Sequence, residues 1–463
     1  MILKLLFIIM CLLSLTMGYI PHLNQDPYRA LLERTYRTDY DAPEETTDKK
    51  PLILTPLLKK NELEKARSAA EVKSNYTLPG VKSYAGYFTV NEKYNGNLWF
   101  WYFPAMNKPV EETPLILWLQ GGPGASSMFG LFEEIGPFTI TENMELKKKK
   151  YSWGDKYSLL FIDNPVGTGF SFSDIEGYAT NQTTIGENLY SALQQFMTMF
   201  PNLRQVPFYI AGESYAGKHI PSLAIQIHWH KHADEPINLK GLMIGNGFID
   251  PITLQCTSLF FRETGLIDDR TAKNLSVIEN RIVDDIKKGH MTKASSDFRT
   301  GLHFLNFATL LPNPYNYLSD SEIFLTKYER FIQTKEMREA LHVGSTNFVQ
   351  IGDVYTKLIP DMMNSAKPWL NELLDHYRVL LYNGHLDTVV PYSPSVNTYN
   401  SLSFSGTAKY KTVEREPLIY NETLLGYYKE AGNLLEVMVR GAGHMVPSDK
   451  PEAALVIIDK FIG

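Results

Sequence analysis

Cysteine is scarce in this sequence, which has two cysteines among 463 residues. Cys11 lies in an apolar N-terminal segment that we predict to be removed, so Cys256 would remain alone and could form no disulfide within the chain. We predict that Cys256 is a buried apolar residue, with pairing to another molecule as the alternative. A chain of this length can bury a sufficient core without covalent crosslinks.

An excess of positive charge is also missing. Lys and Arg number 45 against 51 Asp and Glu, which gives a net charge of −6, whereas proteins that bind nucleic acids are usually basic. We therefore expect no nucleic-acid partner. The one basic run, Lys147–Lys150, is predicted to be a solvated loop.

Recognisable metal motifs are missing as well, because neither H-E-x-x-H nor a pair of closely spaced cysteines occurs. His228, His230 and His232 alternate, but only the first and third would share a helix face, and no third ligand is evident. We read this segment as a solvated helix end. We expect neither a metal nor another cofactor, and a zinc-dependent mechanism is disfavoured.

Long apolar runs are limited to the N-terminus. Lys4 precedes an apolar run from Leu5 to about Met17, and Gly18 follows, which predicts a signal peptide over residues 1–18. An uncleaved signal anchor is the alternative, but no later run reaches spanning length, so we expect no membrane span after cleavage. The expected location is the secretory pathway, either secreted or in a lysosome-like compartment. Four N-x-[ST] triplets are predicted glycosylation sites: Asn75, Asn181, Asn274 and Asn421.

The pattern of apolar segments predicts an α/β fold. Residues 19–80 are predicted to be a leader or pro-segment, in which 56–72 has the pattern of one amphipathic helix. SYAGYFTV and NLWFWYF then predict a hairpin-like pair of strands. Buried-strand patterns at 114–119, 158–163, 207–211, 239–245, 378–382 and 434–440 alternate with amphipathic stretches at 184–200, 217–232 and 449–461.

This alternation is typical of a mostly parallel sheet covered by helices. The strand pattern stops between about 252 and 372, where the sequence looks helical and irregular. We therefore predict a core formed by residues 81–251 and 373–463, with an inserted, mainly helical cap over 252–372.

The run FYIAGESYAGKHIP contains the strongest catalytic signal. An apolar strand ends at Ala211, the pentapeptide Gly212–Ala216 follows, and a helical stretch begins after it. This is the layout of a nucleophile elbow, in which small residues flank a serine because the turn is tight. The sequence therefore predicts Ser214 as a nucleophile.

A serine nucleophile needs a base and an acid that orients the base. In this arrangement they follow the serine in the order acid and then histidine, each after a strand. Asp387 and His444 meet both conditions, whereas His385 precedes the acid and is a poor base candidate. The alternatives are that Asp387 caps its loop and that His444 is a structural histidine. Gly121 and Gly122, after an early strand, could present backbone N–H groups to an oxyanion.

The motifs together resemble one family, the serine carboxypeptidases. The matching strings are LQGGPGASS, DNPVGTGFSFS, GESYAGKHIP, IGNGFIDP, NGHLD and GAGHMVP, in order over about residues 80–463. They look most like the vitellogenic and probable serine carboxypeptidase branch. The resemblance implies an α/β-hydrolase fold with an inserted cap. It also implies release of single amino acids from the C-termini of peptides and proteins through an acyl-enzyme.

The resemblance also implies roles for individual residues. Ser214 would be the nucleophile, His444 the base and Asp387 the orienting acid, with the N–H groups of Gly122 and Tyr215 as the oxyanion hole. The substrate's terminal carboxylate would be held by Gln120, Gly121, Glu134 and Glu213, and Met445 would line the pocket of the leaving residue. The chain departs from the family in having Ala125 where cysteine is usual and Gln120 where asparagine is commoner.

Two neighbouring glutamates can bind a carboxylate only if one of them keeps a proton, which favours acidic pH. The alternative for Glu134 is a surface carboxylate. Two other functions stay open from the sequence: an acyltransferase that uses the same triad, and a catalytically silent glycoprotein with a binding role. The oligomeric state is open too, a homodimer included.

Overall fold

A large mixed sheet forms the centre of the protein. The computed structural model describes residues 49–73, 77, 80–321 and 327–463, so the predicted signal peptide and Asn75 lie outside the described residues. Eleven strands make up the sheet. They are β1 Glu71–Val72, β2 Ser83–Asn91, β3 Gly96–Phe103, β4 Leu115–Leu119, β7 Ser158–Ile162, β8 Phe208–Glu213, β9 Leu239–Gly245, β10 Arg378–Gly384, β11 Glu416–Tyr420, β12 Thr423–Ala431 and β13 Leu434–Val439. A separate hairpin is formed by β5 Phe138–Ile140 and β6 Leu146–Lys148.

The strand order is β1-β2-β3-β7-β4-β8-β9-β10-β13-β12-β11. From β7 to β13 all neighbours run parallel, while β1, β2 and β3 at one edge and β12 and β11 at the other pair antiparallel. The parallel strands β4, β7 and β8 are buried at every position, as expected when helices cover both faces of a sheet. The predicted α/β class with a mostly parallel sheet is confirmed.

Helices cover the sheet and connect its strands. In chain order they are α1 Thr55–Lys59, α2 Leu63–Ala70, α3 Gln182–Met199, α4 Ala216–Trp229, α5 Thr257–Glu263, α6 Asp269–Lys287, α7 Met291–Thr309, α8 Tyr328–Ile332, α9 Lys335–Ala340, α10 Gly352–Leu358, α11 Lys367–Leu374, α12 Tyr392–Asn400, α13 Thr407–Thr412, α14 Val446–Asp449 and α15 Pro451–Ile462. A wide helical turn spans Gly130–Ile135. None of the helices among the described residues is both long and apolar enough to cross a membrane.

The described part of the segment between β9 and β10 contains helices α5 to α11, separated by turns and irregular stretches. Helices α6 and α7 pack against each other as a hairpin. They share with α5 a small apolar cluster of their own: Phe260, Phe261, Ile267, Ala272, Leu275 and Leu305. Helix α11 instead packs on α4, next to the sheet. A mainly helical segment therefore lies between β9 and β10, with a core partly separate from that of the sheet.

The prediction of one helix over 56–72 is wrong. The chain forms α1 and α2 with a break between them, at which Asn61 has a φ of 57°. A left-handed residue cannot continue an α-helix, so the pattern is divided in two. Residues 71–72 then become β1 and pair with β2, and Leu54, Ala66 and Ala70 are buried. The described part of this segment, from residue 49, thus packs on the sheet.

Candidate active site

The predicted nucleophile lies in a sharp turn between β8 and α4. Ser214 has a φ of 60°, a left-handed conformation that is costly for a residue with a side chain. Its N–H donates to the Gly245 carbonyl at 2.9 Å, and its carbonyl accepts from the N–H groups of Gly217 and Phe248, each at 2.9 Å. These bonds from the neighbouring strand end and loop hold the strained backbone in place.

Small residues around Ser214 are required by close backbone contacts. A side chain at Gly212 would collide with the carbonyl oxygen of Leu119 on β4. A Cβ at Gly217 would come within 2.8 Å of the Phe248 backbone nitrogen. The small positions that the sequence motif shows are therefore needed to bring the turn against its neighbours, as a nucleophile elbow requires.

Asp387 and His444 are joined by a hydrogen bond at the same edge of the sheet. The His444 Nδ1–Asp387 Oδ2 distance is 2.7 Å, and both residues are buried. Asp387 also accepts from Asn246 Nδ2 at 2.7 Å and from the N–H groups of Val389 and Val390 at 2.7 and 3.1 Å. A histidine that donates from Nδ1 presents Nε2 as its acceptor, which is the tautomer a general base needs.

The loop that carries His444 is held from two sides. The His444 N–H donates to the Tyr315 carbonyl at 2.7 Å, and the Gly443 N–H donates to Asp449 Oδ2 at 2.6 Å. His385 Nδ1 accepts a hydrogen bond from the Gly441 N–H at 3.1 Å, so His385 also stabilises this loop. His385 thus contacts the turn before His444 and occupies a structural position, as its place before the acid predicts.

The glycine loop after β4 lies directly against the nucleophile. A Cβ placed on Gly121 would be 2.7 Å from both the Ser214 Cβ and the Tyr215 backbone nitrogen. Gly122 follows with a φ of 106°, a conformation that favours glycine. The backbone of Gly121 and Gly122 therefore runs beside Ser214 and Tyr215, where an oxyanion hole has to be built.

A buried aspartate on another loop supports this glycine loop. Asp163 Oδ1 accepts from Ser126 Oγ at 2.6 Å and from the Ser127 N–H at 3.0 Å, and its Oδ2 accepts from the Phe170 N–H at 2.9 Å. Burial raises the pKa of Asp163 to about 7 in spite of these donors. The aspartate of the DNPVGTGFSFS string thus ties two loops together beside the site.

Glu134 and Glu213 are both buried and lie together. Gln120 Nε2 donates to Glu213 Oε1 at 2.8 Å, and Trp118 Nε1 donates to Gln120 Oε1 at 2.8 Å, which fixes the amide with its NH₂ group toward Glu213. No described residue donates a hydrogen bond to Glu213 Oε2 or to either carboxyl oxygen of Glu134. Gln120 therefore reaches the pair despite being one methylene longer than asparagine.

Burial raises the pKa of both glutamates, and the charge of Glu134 raises the pKa of Glu213 further, whereas contact with Glu213 partly offsets the effect of burial on Glu134. One proton is therefore retained by the pair at a pH where an ordinary glutamate is ionised. The surface alternative for Glu134 is excluded, since 2% of the residue is exposed.

Comparison with known proteins identifies the family. The family model for serine carboxypeptidases matches residues 74–463. The chain belongs to the serine carboxypeptidase family. It is 41% identical to the vitellogenic carboxypeptidase of Aedes aegypti over 431 residues, which covers 89% of each chain. It is 37% identical to the probable serine carboxypeptidase CPVL of Homo sapiens over 456 residues, which covers 94% of each chain.

The solved structures include a similar carboxypeptidase. The prohormone-processing carboxypeptidase Kex1(Δ)p of Saccharomyces cerevisiae is 26% identical, with a TM-score of 0.77 over 86% of this chain and 96% of that chain. The predicted family, its vitellogenic and probable serine carboxypeptidase branch and the α/β-hydrolase fold are confirmed. The protein is accordingly a serine-type peptide-bond hydrolase.

The remaining predicted sites of this carboxypeptidase are Met445 and the glycosylation acceptors within the described residues. Met445 follows His444 and is buried. The Asn181 side chain accepts the Thr184 N–H at 2.9 Å and caps α3, Asn274 is exposed on α6, and Asn421 is exposed in the turn between β11 and β12.

The alternating histidines do not come together. Helix α4 ends at Trp229, His228 is buried against Tyr377, and His230 stacks on Tyr190 at 4.7 Å between ring centroids. Within the described ranges no group of three or more His, Cys, Asp or Glu side chains could hold a metal ion.

Sequence reasoning missed several residues of the site. Asn246, which holds Asp387, follows β9 at the edge where the triad lies, so its position after a strand was an available signal. The Tyr382 ring on β10 lies beside Gly245, at which a Cβ would be 2.6 Å from the ring. Burial, followed by the charge of Glu213, raises the pKa of Tyr382. The prediction of a solvated loop for Lys147–Lys150 is wrong for Lys149, whose ammonium nitrogen is buried.

Proposed function

We propose that Ser214, His444 and Asp387 act as the catalytic triad of this carboxypeptidase and remove amino acids one at a time from peptide C-termini. The observation that carries this proposal is the 2.7 Å bond between His444 and the buried Asp387, at the strand edge where Ser214 occupies its strained turn. Residues 252–372 would form the cap over this edge, between core segments 81–251 and 373–463.

The reaction proceeds in two halves. Ser214 Oγ attacks the carbonyl carbon of the last peptide bond while His444 Nε2 takes its proton. The N–H groups of Gly122 and Tyr215 stabilise the oxyanion. His444 then returns the proton to the leaving amine, and the C-N bond breaks to give an acyl-enzyme on Ser214. A water molecule, deprotonated by His444, hydrolyses the ester and restores the serine.

Selection for the last residue rests on the terminal carboxylate. Gln120 and the Gly121 backbone would orient the carboxylate, and the shared proton of Glu134 and Glu213 would donate to it. A fully ionised pair would repel the substrate, so binding of free-carboxylate peptides should favour acidic pH. Met445 would contact the leaving residue from its place beside His444.

The enzyme is proposed to reach its substrates through the secretory pathway, after removal of residues 1–18, and to act outside the cell or in a lysosome-like compartment. Acidic compartments suit the glutamate pair. Asn181, Asn274 and Asn421 are the acceptors within the described residues at which glycans are proposed. A homodimer stays a prediction, which light scattering of the purified glycoprotein would test.

The decisive experiment is incubation with blocked dipeptides that differ in their last residue, at pH 4 to 8, with the released amino acid measured. We expect release of the free amino acid, faster on the acid side of neutral. Transfer of the acyl group to an added alcohol or amine in preference to water would indicate an acyltransferase. Failure of a fluorophosphonate to label Ser214 would indicate a silent glycoprotein and would overturn the proposal.

A further inference from the structure

Lys149 differs from the other lysines of its basic run. Lys147 and Lys148 are exposed on β6, and Lys148 pairs with Asp155 Oδ1 at 3.0 Å. The Lys149 backbone N–H donates to the Pro137 carbonyl at 3.0 Å, and its Nζ is buried with no hydrogen-bond partner among the residues that the structure describes. An ammonium group in such a place is costly unless opposite charges face it.

The backbone places Lys149 beside the segment that carries the glutamate pair. The β5–β6 hairpin begins just after the Gly130–Ile135 turn, so Lys149 is hydrogen-bonded two residues beyond the end of that turn. The ammonium of Lys149 interacts electrostatically with Glu133 and Glu134 from this turn. The charge of Lys149 partly offsets the effect of burial, which raises the pKa of both carboxyl groups. Neither Glu134 oxygen accepts a hydrogen bond from a described residue.

Other charged groups act on the same cluster. The charge of Lys327 lowers the pKa of Glu133, and the charge of Glu133 raises that of Glu134. The charges of Glu134 and Asp387 raise the pKa of Glu213. Among these, Lys149 and Lys327 are the cations, and Lys327 is paired with Glu142 at the surface. Of these two lysines, Lys149 is the one whose ammonium nitrogen is buried.

The sign of its effect follows from Coulomb's law. A nearby positive charge favours the ionised form of a carboxyl group and so works against burial and mutual repulsion, which favour the protonated form. The pH at which Glu134 and Glu213 lose their shared proton is therefore lower with Lys149 than without it. Burial lowers the pKa of Lys149 to about 8, so it carries its charge across the acid range.

We propose that Lys149 is a positioning residue that sets, through Glu133 and Glu134, the pH at which the subsite for the terminal carboxylate stops accepting its substrate. This inference rests on the proposed function, because it assumes that the glutamate pair binds that carboxylate. Lys149, one of four consecutive lysines, would thus set the pH dependence of substrate binding.

The test is the pH profile of KM for a free-carboxylate dipeptide in Lys149→Met and Lys149→Gln. Neither variant leaves a hydrogen-bond partner of Lys149 Nζ unpaired among the described residues, and thermal unfolding measured alongside checks that both variants fold. The midpoint of the rise in KM should move to higher pH by at least about half a unit, with kcat changed less than twofold. Lys147→Met is the matched control, since it removes the same charge from an exposed site of the same lysine run, and its midpoint should stay with the wild type.

Each other outcome is informative. An unchanged midpoint in both Lys149 variants, or an equal shift in Lys147→Met, would overturn the role of Lys149. A KM raised by the same factor at every pH would also overturn it, because Lys149 would then attract the substrate directly. If the wild type itself shows no rise of KM with pH, the glutamate pair account fails, and this failure is distinguishable because it precedes any variant.

Discussion

Two groups of buried carboxyls lie at one edge of the sheet and are built in opposite ways. Asp387 is fully buried and accepts four hydrogen bonds, from Asn246, Val389, Val390 and His444. These donors fix the position of the Asp387 carboxylate beside His444, as the proposed orienting role requires.

Glu134 and Glu213 are as buried as Asp387, but one side-chain donor, Gln120, serves the two of them. Burial raises the pKa of both, the charge of Glu134 raises that of Glu213 further, and the pair retains a proton. The two sites therefore differ in their number of donors and in their neighbours, because Asp387 contacts a histidine, whereas Glu213 lies beside another carboxyl group. One site has to stabilise a cation and the other has to receive an anion.

The largest expected effect comes from removing the proposed nucleophile beside these two groups. Ser214→Ala should lower kcat by about 10⁶, and combining it with His444→Ala should cost little more, because triad members act as a unit. The measurement is release of amino acid from a blocked dipeptide at the wild-type optimum. Ser403→Ala, at an exposed serine, is the control and should retain full activity. Near-normal hydrolysis by Ser214→Ala would show that another residue is the nucleophile.

The matched amide substitutions compare the two carboxyl groups directly. Asp387→Asn should lower kcat by about 10⁴, because the anion beside His444 is lost. Glu213→Gln should leave kcat within about tenfold, because the amide still supplies a donor where a protonated carboxyl stood. Both variants are assayed for kcat and KM at one acidic and one neutral pH. Equal losses of kcat in the two variants would contradict the division of roles.

The number of donors around Asp387 can be reduced one at a time. Asn246→Ala removes one bond to the carboxylate and leaves the Gly384 N–H without its Asn246 Oδ1 acceptor. Hydrogen bonds to charged groups contribute about 1.5–3 kcal/mol, so kcat should fall by roughly 10- to 100-fold. Thermal unfolding measured alongside separates catalysis from stability. A normal kcat would mean that the backbone donors of Val389 and Val390 suffice.

The sequence sufficed to predict the fold and to propose a triad, whereas it did not point to the residues that hold the proposed triad in place. Buried parallel strands are continuous apolar runs, so β4, β7, β8 and β9 were found close to their observed limits. Strands β11 and β12 were missed because few of their residues are buried. The outermost strand, β11, buries Leu418 alone, and β12 buries Gly426 and Ala431. Burial in an alternating or apolar pattern is visible in a sequence, but pairing of a polar edge is not.

The same limit applies within the site. Ser214, Asp387 and His444 each follow a strand in a recognisable string, and small neighbours mark their turns. Lys149 carries no such mark, because its neighbours are lysines and only the path of the hairpin buries its ammonium. Which lysine of a run is buried depends on packing, so the sequence could not single it out.

The pH dependence of binding tests the glutamate side of the comparison. As pH rises through the raised pKa of the pair, the donor is lost, and KM for free-carboxylate peptides should rise by up to about tenfold per pH unit. The double variant Glu134→Gln, Glu213→Gln keeps neutral donors and should flatten this rise. Amidated peptides are the matched substrates, and their KM should change much less. A wild-type KM that is constant from pH 4 to 8 would exclude the shared proton.

The smallest expected effect is on stability, and it reverses the usual sign. The pKa of Glu134, Glu213 and Asp163 is raised in the folded protein, so the folded state keeps protons that the unfolded chain releases. Their contribution to stability is fully present below about pH 4, the range of unfolded carboxyls, and is lost as pH rises through the raised folded values. Tm should therefore fall between pH 5 and pH 8. Glu213→Gln should reduce this fall by on the order of 1–3 °C, while Glu187→Gln, at an exposed position on α3, should not. A fall of the same size in both variants would show that these buried groups do not set the pH dependence of stability.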